Sequence, residues 1–403
     1  MIRQRYALAF TALSLLALSL PTIASCADSD SASPPSDSST VLDGGDAGLD
    51  ANAPEASLTD ATGSASCDAA DPSCVSVPRD CAEVDWCPVS TGIDPRFALT
   101  SVWGSSKSDV WAVGSGGTIV HYDGSKWNAV PSGVQSTLYA VWSSGPKDVW
   151  AAGSSKVVLH STDASTFTPV PVSEEGVGRV FAMWGTLPGE LFVGGEPHEQ
   201  FNPDLEALVS SNWFRRPSGD ADSAWELLQG FEGQWPAATI RAIWGSSAND
   251  LWVSADNSTE LPWMRGVLMH RDGGGVWKSV DSQSSRVLES IWGSSANDVW
   301  AVGDEGTLRH FTAGAERWAV VTPPSSAALH AIWGSSANDV WAVGDLGTVI
   351  HYDGTSWTNS SVAFPIGKKP NLYGIWGSSA DDVWIVGDEL TLHFTGSKPG
   401  GDR

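Results

Sequence analysis

Positive charge is scarce in this chain, with 22 Lys and Arg against 47 Asp and Glu and a net charge of −25. Nucleic-acid backbones and anionic lipid surfaces repel such a surface, so binding to DNA, RNA or bare membrane is excluded as a main role. Long apolar runs are also missing: the stretch from Tyr6 to Leu20 has 15 residues, short of a comfortable membrane span. Met (4), Tyr (5) and Cys (5) are few, whereas Trp reaches 22 and Gly 42. Enrichment in one bulky residue type points to a unit repeated many times. With 41% hydrophobic residues there is enough apolar material for a large core.

The first residues read as an export leader. Arg3 and Arg5 precede the apolar stretch, and Ile23-Ala24-Ser25-Cys26 follows it, which resembles a bacterial lipobox. That resemblance implies removal of residues 1–25 and lipidation of Cys26. Residues 27 and 28 are Ala and Asp, so the Asp directly after the Cys that favours inner-membrane retention is absent. The expected address is the outer membrane or cell surface, with the periplasmic face as the alternative. The same residues also fit an ordinary secretory leader cut at the Ala-x-Ala-like site.

Residues 26–66 read as a tether. From 27 to 66 the segment has seven Asp, one Glu and no Lys, Arg or aromatic residue, and is otherwise mostly Ser, Ala, Gly, Thr and Pro. It has too little apolar surface to offset its ordering entropy and is expected to be disordered. Cys67, Cys74, Cys81 and Cys87 follow, in and just after a Cys-rich segment over 67–83. Four cysteines in an exported chain suggest two disulfides, with three connectivities possible. Gaps of six, six and five residues contain no Cys-x-x-Cys knuckle, which argues against a four-thiolate zinc site.

From residue 99 the chain repeats itself. Variants of Ala-Ile-Trp-Gly-Ser-Ser-Ala-Asn-Asp-Val-Trp-Ala-Val-Gly place their first Trp at Trp103, Trp142, Trp184, Trp244, Trp292, Trp333 and Trp376. Spacings of 39, 42, 60, 48, 41 and 43 residues suit four short strands and their turns. The regular copy predicts strand A over 329–334, B over 339–344, C over 348–352 and D from Trp357. The turns are Ser-Ser-Ala-Asn at 335–338 and Asp-Gly at 353–354. The expected fold is all-β, a seven-bladed propeller over 84–397, with 398–403 as a tail.

The seventh copy supplies strands A to C and then ends. Asp85-Trp86-Cys87-Pro88-Val89 matches the fourth strand of the first copy, Lys126-Trp127-Asn128-Ala129-Val130. The N-terminal segment is therefore expected to complete the last blade and remove its open edge.

His-Tyr-Asp-Gly-Ser-Lys-Trp (121–127), His-Arg-Asp-Gly-Gly-Gly-Val-Trp (270–277) and His-Tyr-Asp-Gly-Thr-Ser-Trp (351–357) resemble Asp-box turns. With the Val-Gly-x-x-Gly-Thr step before them, they are similar to Ycf48-like and sialidase-type propeller repeats. The resemblance covers about residues 84–396 and implies a fold that hosts glycosidases, lectins and assembly factors alike. A sialidase-type site needs three converging arginines and a Tyr nucleophile. Tyr122, Tyr139, Tyr352 and Tyr373 instead fall at repeat-typical strand positions, and no carboxylate pair has a diagnostic spacing. No catalytic residue, metal ligand or cofactor is assigned.

Phase within the repeat separates blade-building residues from others. His121, His160, His310 and His351 follow their blade's first Trp by 18 residues, and His270 and His393 take the corresponding place. Spread around a ring, they cannot meet at one ion and are expected to hydrogen-bond within blades. Asp109, Asp148, Asp250, Asp298, Asp339 and Asp382 are expected to cap the turn before strand B. Of the 22 tryptophans, 19 are in phase. Trp213, Trp235 and Trp263 are not, and they accompany longer third and fourth repeats.

In an up-and-down blade the B–C and D–A connections share one face, so these three tryptophans can form a patch there. Arg216 and Arg265 complete the candidate ligand site, with Arg215, His198, Glu199 and Glu260 nearby. Stacking on a sugar or anchoring a protein partner suits such a group. Two alternatives stand beside it: the insertions bury the tryptophans in a local core, or Trp213-Phe214-Arg215-Arg216 is itself strand C of blade 3.

The sequence thus reads as a monomeric, lipid-anchored surface propeller that binds an unidentified protein or glycan without catalysis. A glycoside hydrolase and an envelope-complex assembly factor are the other readings.

Overall fold

The computed structural model describes residues 80–396 except 156, 173–177, 187–188, 203–206, 218–223, 229–237, 257–265, 274, 366–368 and 395. The leader, Cys26, the tether, Cys67, Cys74 and the tail over 398–403 lie outside the described residues.

Seven four-stranded antiparallel sheets form a propeller. Blade 1 consists of strand A (Leu99–Ser106), B (Asp109–Gly114), C (Ile119–Tyr122) and D (Trp127–Ala129). Blade 2 spans 138–169, blade 3 180–227, blade 4 239–280, blade 5 288–321 and blade 6 329–359. In blade 6 strand A runs two residues beyond the expected end, to Ser336, and strand C starts at Val349. Blade 7 combines Leu372–Ser379, Asp382–Gly387 and Thr391–Phe394 with Trp86–Pro88 from the N-terminal side. The closing strand pairs in register Trp86↔Phe394, Cys87↔His393 and Pro88↔Leu392. It is also tied to the connection leaving blade 6, since the Trp86 N–H donates to the Ser361 carbonyl and the Ala363 N–H to that of Trp86. Cys81 and Cys87 stand within disulfide reach, with a Cα–Cα distance of 5.5 Å.

Each in-phase residue has a defined task. The strand-D Trp of one blade meets the strand-B Trp of the preceding blade edge to face: Trp127–Trp384, Trp86–Trp341, Trp225–Trp150, Trp318–Trp252 and Trp357–Trp300, with centroids 5.1–5.7 Å apart. Phe167 plays the strand-D part against Trp111. Such pairs add roughly 0.5–1.5 kcal/mol to the burial of two large rings. Glycine follows Trp on strand A because the preceding blade's Trp lies there. A methyl on Gly334 would stand 2.6 Å from Trp292 and one on Gly377 2.6 Å from Trp333.

The aspartates do more than cap a turn. Strand A carries a bulge next to the A–B turn in every blade except blade 3, and its extra residue is Ser105, Ser144, Ser246, Ser294, Ser335 or Ser378. Each hydroxyl donates to one carboxylate oxygen of its blade's Asp. The other oxygen accepts from the blade's His Nε2 at 2.6–2.9 Å. That imidazole stacks on the strand-B Trp with centroids 3.7–4.1 Å apart. Burial by itself would raise the Asp109 carboxyl, but hydrogen bonds from His121, Ser105 and Trp111 outweigh it and hold it below the usual range. Asp148 and Asp339 are lowered against the same burial by their own His and Ser. At the C–D turns, Asp123, Asp163 and Asp353 accept from the backbone N–H groups two and three residues on, a local Asx turn.

Candidate functional site at the channel mouth

Blade 3 departs from the repeat, and its departures compensate one another. Phe192 replaces the strand-B Trp, and Trp213 stacks on it at 5.8 Å and receives the edge of Trp277 from blade 4. Trp213 lies on strand C (Ala207–Arg216), 1% exposed. The structure therefore selects the strand-C alternative: Trp213 belongs to the inter-blade core, not to an exposed ligand patch. Arg216, on the same strand, is 8% exposed with its guanidinium over the Trp150 ring at 5.1 Å. Arg215 pairs across from Phe192, where the other blades place His, and its Nε donates to Glu190 at the position of the missing Asp. The bulge that would supply Ser is absent here, where Gly185↔Leu191 and Thr186↔Glu190 pair in register. Trp235, Trp263 and Arg265 lie outside the described residues. The blade 3 insertion is an extension of the B–C hairpin, paired from His198↔Ser211 to Asn202↔Ala207.

A second break in the repeat occurs at one position in all seven blades. Where strand A begins, every blade carries a further bulge just after its leading aliphatic residue. The extra residues are Thr100, Tyr139, Phe181, Arg241, Glu289, His330 and Tyr373, all half-buried. Strand A is innermost, so these seven positions ring the central channel on the face of the D–A and B–C connections. Neighbouring positions, six residue types among seven side chains and a bulge that re-aims a side chain are what a site grafted on a repeated frame requires.

Interactions follow the ring from blade 1 round to blade 7. The Thr100 hydroxyl donates to the carbonyl of Leu138 in blade 2 at 2.6 Å. The rings of Tyr139 and Phe181 are 5.1 Å apart, and the Arg241 guanidinium lies 5.0 Å from the Phe181 centroid. Arg241 and His330 both act electrostatically on Glu289. The His330 and Tyr373 rings are 5.4 Å apart.

Carboxylates at the far end of strand B or just beyond it answer the ring from the same face. Arg179 pairs with Glu196 at 2.5 Å, Arg241 with Asp256 at 3.2 Å, His330 with Asp345 at 2.7 Å, and the Tyr373 hydroxyl donates to Asp388 at 3.1 Å. Beyond them, Ser155, Glu305, Leu346 and Glu389 hold φ of 53–58°, a left-handed conformation that non-glycine residues rarely adopt. Phase within the repeat does not mark this ring, because its residues hold an in-phase position and accompany no insertion. The signal was present: the residue after the leading aliphatic of strand A differs in nearly every copy, while its neighbours repeat.

No family model matches the chain, and no curated protein is similar to it in sequence. Solved structures are similar in fold. A YCF48 bound to a D1 peptide is 17% identical with a TM-score of 0.59, the match covering 80% of this chain and 98% of that one. YCF48 from Cyanidioschyzon merolae gives 16%, 0.59, and coverage of 77% and 98%. A streptogramin B lyase gives 13%, 0.56, and coverage of 77% and 98%. Identities this low carry the seven-bladed architecture and nothing finer.

Proposed function

We propose that this chain is an exported, lipid-anchored propeller that serves as a non-catalytic binding or scaffolding module for a protein partner, gripping it at the channel mouth. Cys26 is the lipidation site in this reading, the outer membrane or cell surface is the address, and the C–D turns are Asp-box relatives. The observation that carries it is the ring of seven side chains of six residue types at one bulge position, set in blades whose other strand-A and strand-B residues largely repeat. A mouth of mixed aromatic, cationic and carboxylate groups suits polypeptide, which offers side chains of each kind and a backbone to hydrogen-bond. The YCF48 bound to a D1 peptide is consistent with a propeller of this shape holding a peptide.

The test is site-specific photocrosslinking on intact cells. A photoreactive residue at Tyr373 is expected to capture a discrete protein, and the same residue at Asp381, in the A–B turn of the opposite face, is not. Equal capture at both positions, or capture at neither, defeats the reading.

A further inference from the structure

This inference rests on that reading and names the chemistry of the partner. Charge is distributed unevenly around the mouth. In blades 3 and 4 the two arginines are matched, Arg179 by Glu196 and Arg241 by Asp256. In blades 5–7 the same positions and the adjacent B–C turns supply Glu289, Asp304, Glu305, Asp345, Asp388 and Glu389, together with the imidazole of His330. The connections into these blades add Arg286, which pairs with Glu305 at 2.7 Å, and Lys369. Burial pushes the Glu289 carboxyl above the ordinary range. Arg241 and His330 pull it back, but both are already bonded, to Asp256 and Asp345. Negative charge is thus in excess on one arc, where the surroundings disfavour it and a cation would relieve it.

A separate, apolar feature adjoins this arc. Ile93, Phe97, Ile119, Val130 and Val134 line a groove of about 550 Å³ between the connections into blades 1 and 2. Phe97 is 37% exposed, unusual for so large an apolar side chain. The two features are contiguous, because Ala98, next to Phe97, pairs with Asp388 of the acidic arc. The groove has room for one or two apolar side chains and lies on the same face as the ring.

We infer that the mouth takes an extended polypeptide segment that sets a lysine or arginine over the carboxylates of blades 5–7 and an apolar side chain in the groove beside Phe97. The aromatic rings of Tyr139, Phe181 and Tyr373 then offer faces to the remainder of the segment. Charge decides the register of the segment, and the groove decides which neighbour of the basic residue is apolar.

A positional-scanning library of short, end-capped peptides, bound to the full chain, tests this. The expected result is selection of Lys or Arg at one position and of an aliphatic or aromatic residue close to it. Glu289→Gln with Asp304→Asn should weaken the selected peptide roughly tenfold and erase the basic preference. Glu289→Gln alone, at a side chain with no hydrogen bond to lose, should act in the same direction if the double variant melts early. Phe97→Ser should relax only the apolar preference. Asp381→Asn with Glu316→Gln, matched in charge but on the opposite face, should change neither. Equal weakening by that control pair overturns the inference, because the attraction is then a general one to an acidic chain. Selection of acidic or neutral peptides that still compete at Tyr373 overturns the cationic assignment and leaves the module reading standing. If no peptide is retained, the inference falls, and photocrosslinking at Tyr373 decides the module reading separately.

Discussion

Replacing Trp86 by Ala is the sharpest test of how the ring closes. Trp86 is fully buried in a strand of only three residues. Its ring meets Trp341 edge to face and Phe394 at a tilt, both with centroids 5.1 Å apart. Removing such a ring costs about 3–5 kcal/mol through lost transfer and the cavity left behind. Trp127 has the same part in blade 1, 8% exposed and 5.2 Å from Trp384, so Trp127→Ala should have a cost in the same range.

What separates the two variants is where the damage goes. Trp127 sits on a strand continuous with the rest of its own blade, whereas the segment bearing Trp86 joins blade 7 from the other end of the propeller. Loss of its principal side chain should let that strand detach and bare the edge of Thr391–Phe394. Denaturant midpoints, hydrogen exchange of the strand Thr391–Phe394 and light scattering read this out. Trp86→Ala should deprotect that strand well before global unfolding and should aggregate, while Trp127→Ala, whose ring packs on Trp384 of the neighbouring strand B, should melt early without selective loss at Thr391–Phe394. The reasoning is refuted if Trp86→Ala costs less than about 1 kcal/mol, or if blade 7 exchanges alike in both variants.

Two further outcomes follow from the repeated frame. Asp109→Ala strips three donors of their acceptor at a buried site, so it should cost about 1–3 kcal/mol in a denaturant titration. Since the folded state holds Asp109, Asp148 and Asp339 below the ordinary carboxylate value, the unfolded chain protonates first. The stability these groups contribute is therefore present above about pH 4 and lost as pH falls through their folded values. Melting temperature against pH should fall below that point, and less steeply in Asp109→Asn. Gly334→Ala puts a methyl 2.6 Å from Trp292 and 2.7 Å from the Asp339 carbonyl, neither a flexible chain end, and should cost about 1–3 kcal/mol. Gly145→Ala meets nothing within 4 Å and should lie within about 0.5 kcal/mol of the parent, which calorimetry can check.

What the sequence made legible was whatever repeated. The first Trp of strand A marked seven blades, a second Trp on strand B with His and Asp at fixed distances marked six of them, and Trp86 marked the closing strand. What it concealed has two physical causes. Compensation looks like exception: Phe192 with Trp213, and Glu190 with Arg215, are paired replacements across strands B and C, yet along the chain each partner stands alone and out of phase. Trp213 and Arg216 therefore resembled ligand-binding residues when they were packing residues. The bulges were concealed for the opposite reason. An extra residue in strand A changes where a side chain points without changing the repeat length, so Glu289 or His330 reads as an ordinary strand position that tolerates anything.

The same distinction assigns stability and recognition to different residues of one blade. Ser, Asp, His and Trp form a closed set: the carboxylate receives the hydroxyl and the imidazole, and the imidazole covers the indole, so a change at any member leaves another unsatisfied. The bulge residues touch chiefly one another and the carboxylates at the far end of strand B, along Tyr139, Phe181, Arg241, Glu289, His330 and Tyr373. Substitutions within that chain perturb half-buried side chains that lie outside the closed set of Ser, Asp, His and Trp. Variation can therefore accumulate at the mouth while the frame stays constant. A Glu289→Gln chain that melts like its parent but has lost its preference for a basic peptide would show the two tasks separated along a single strand.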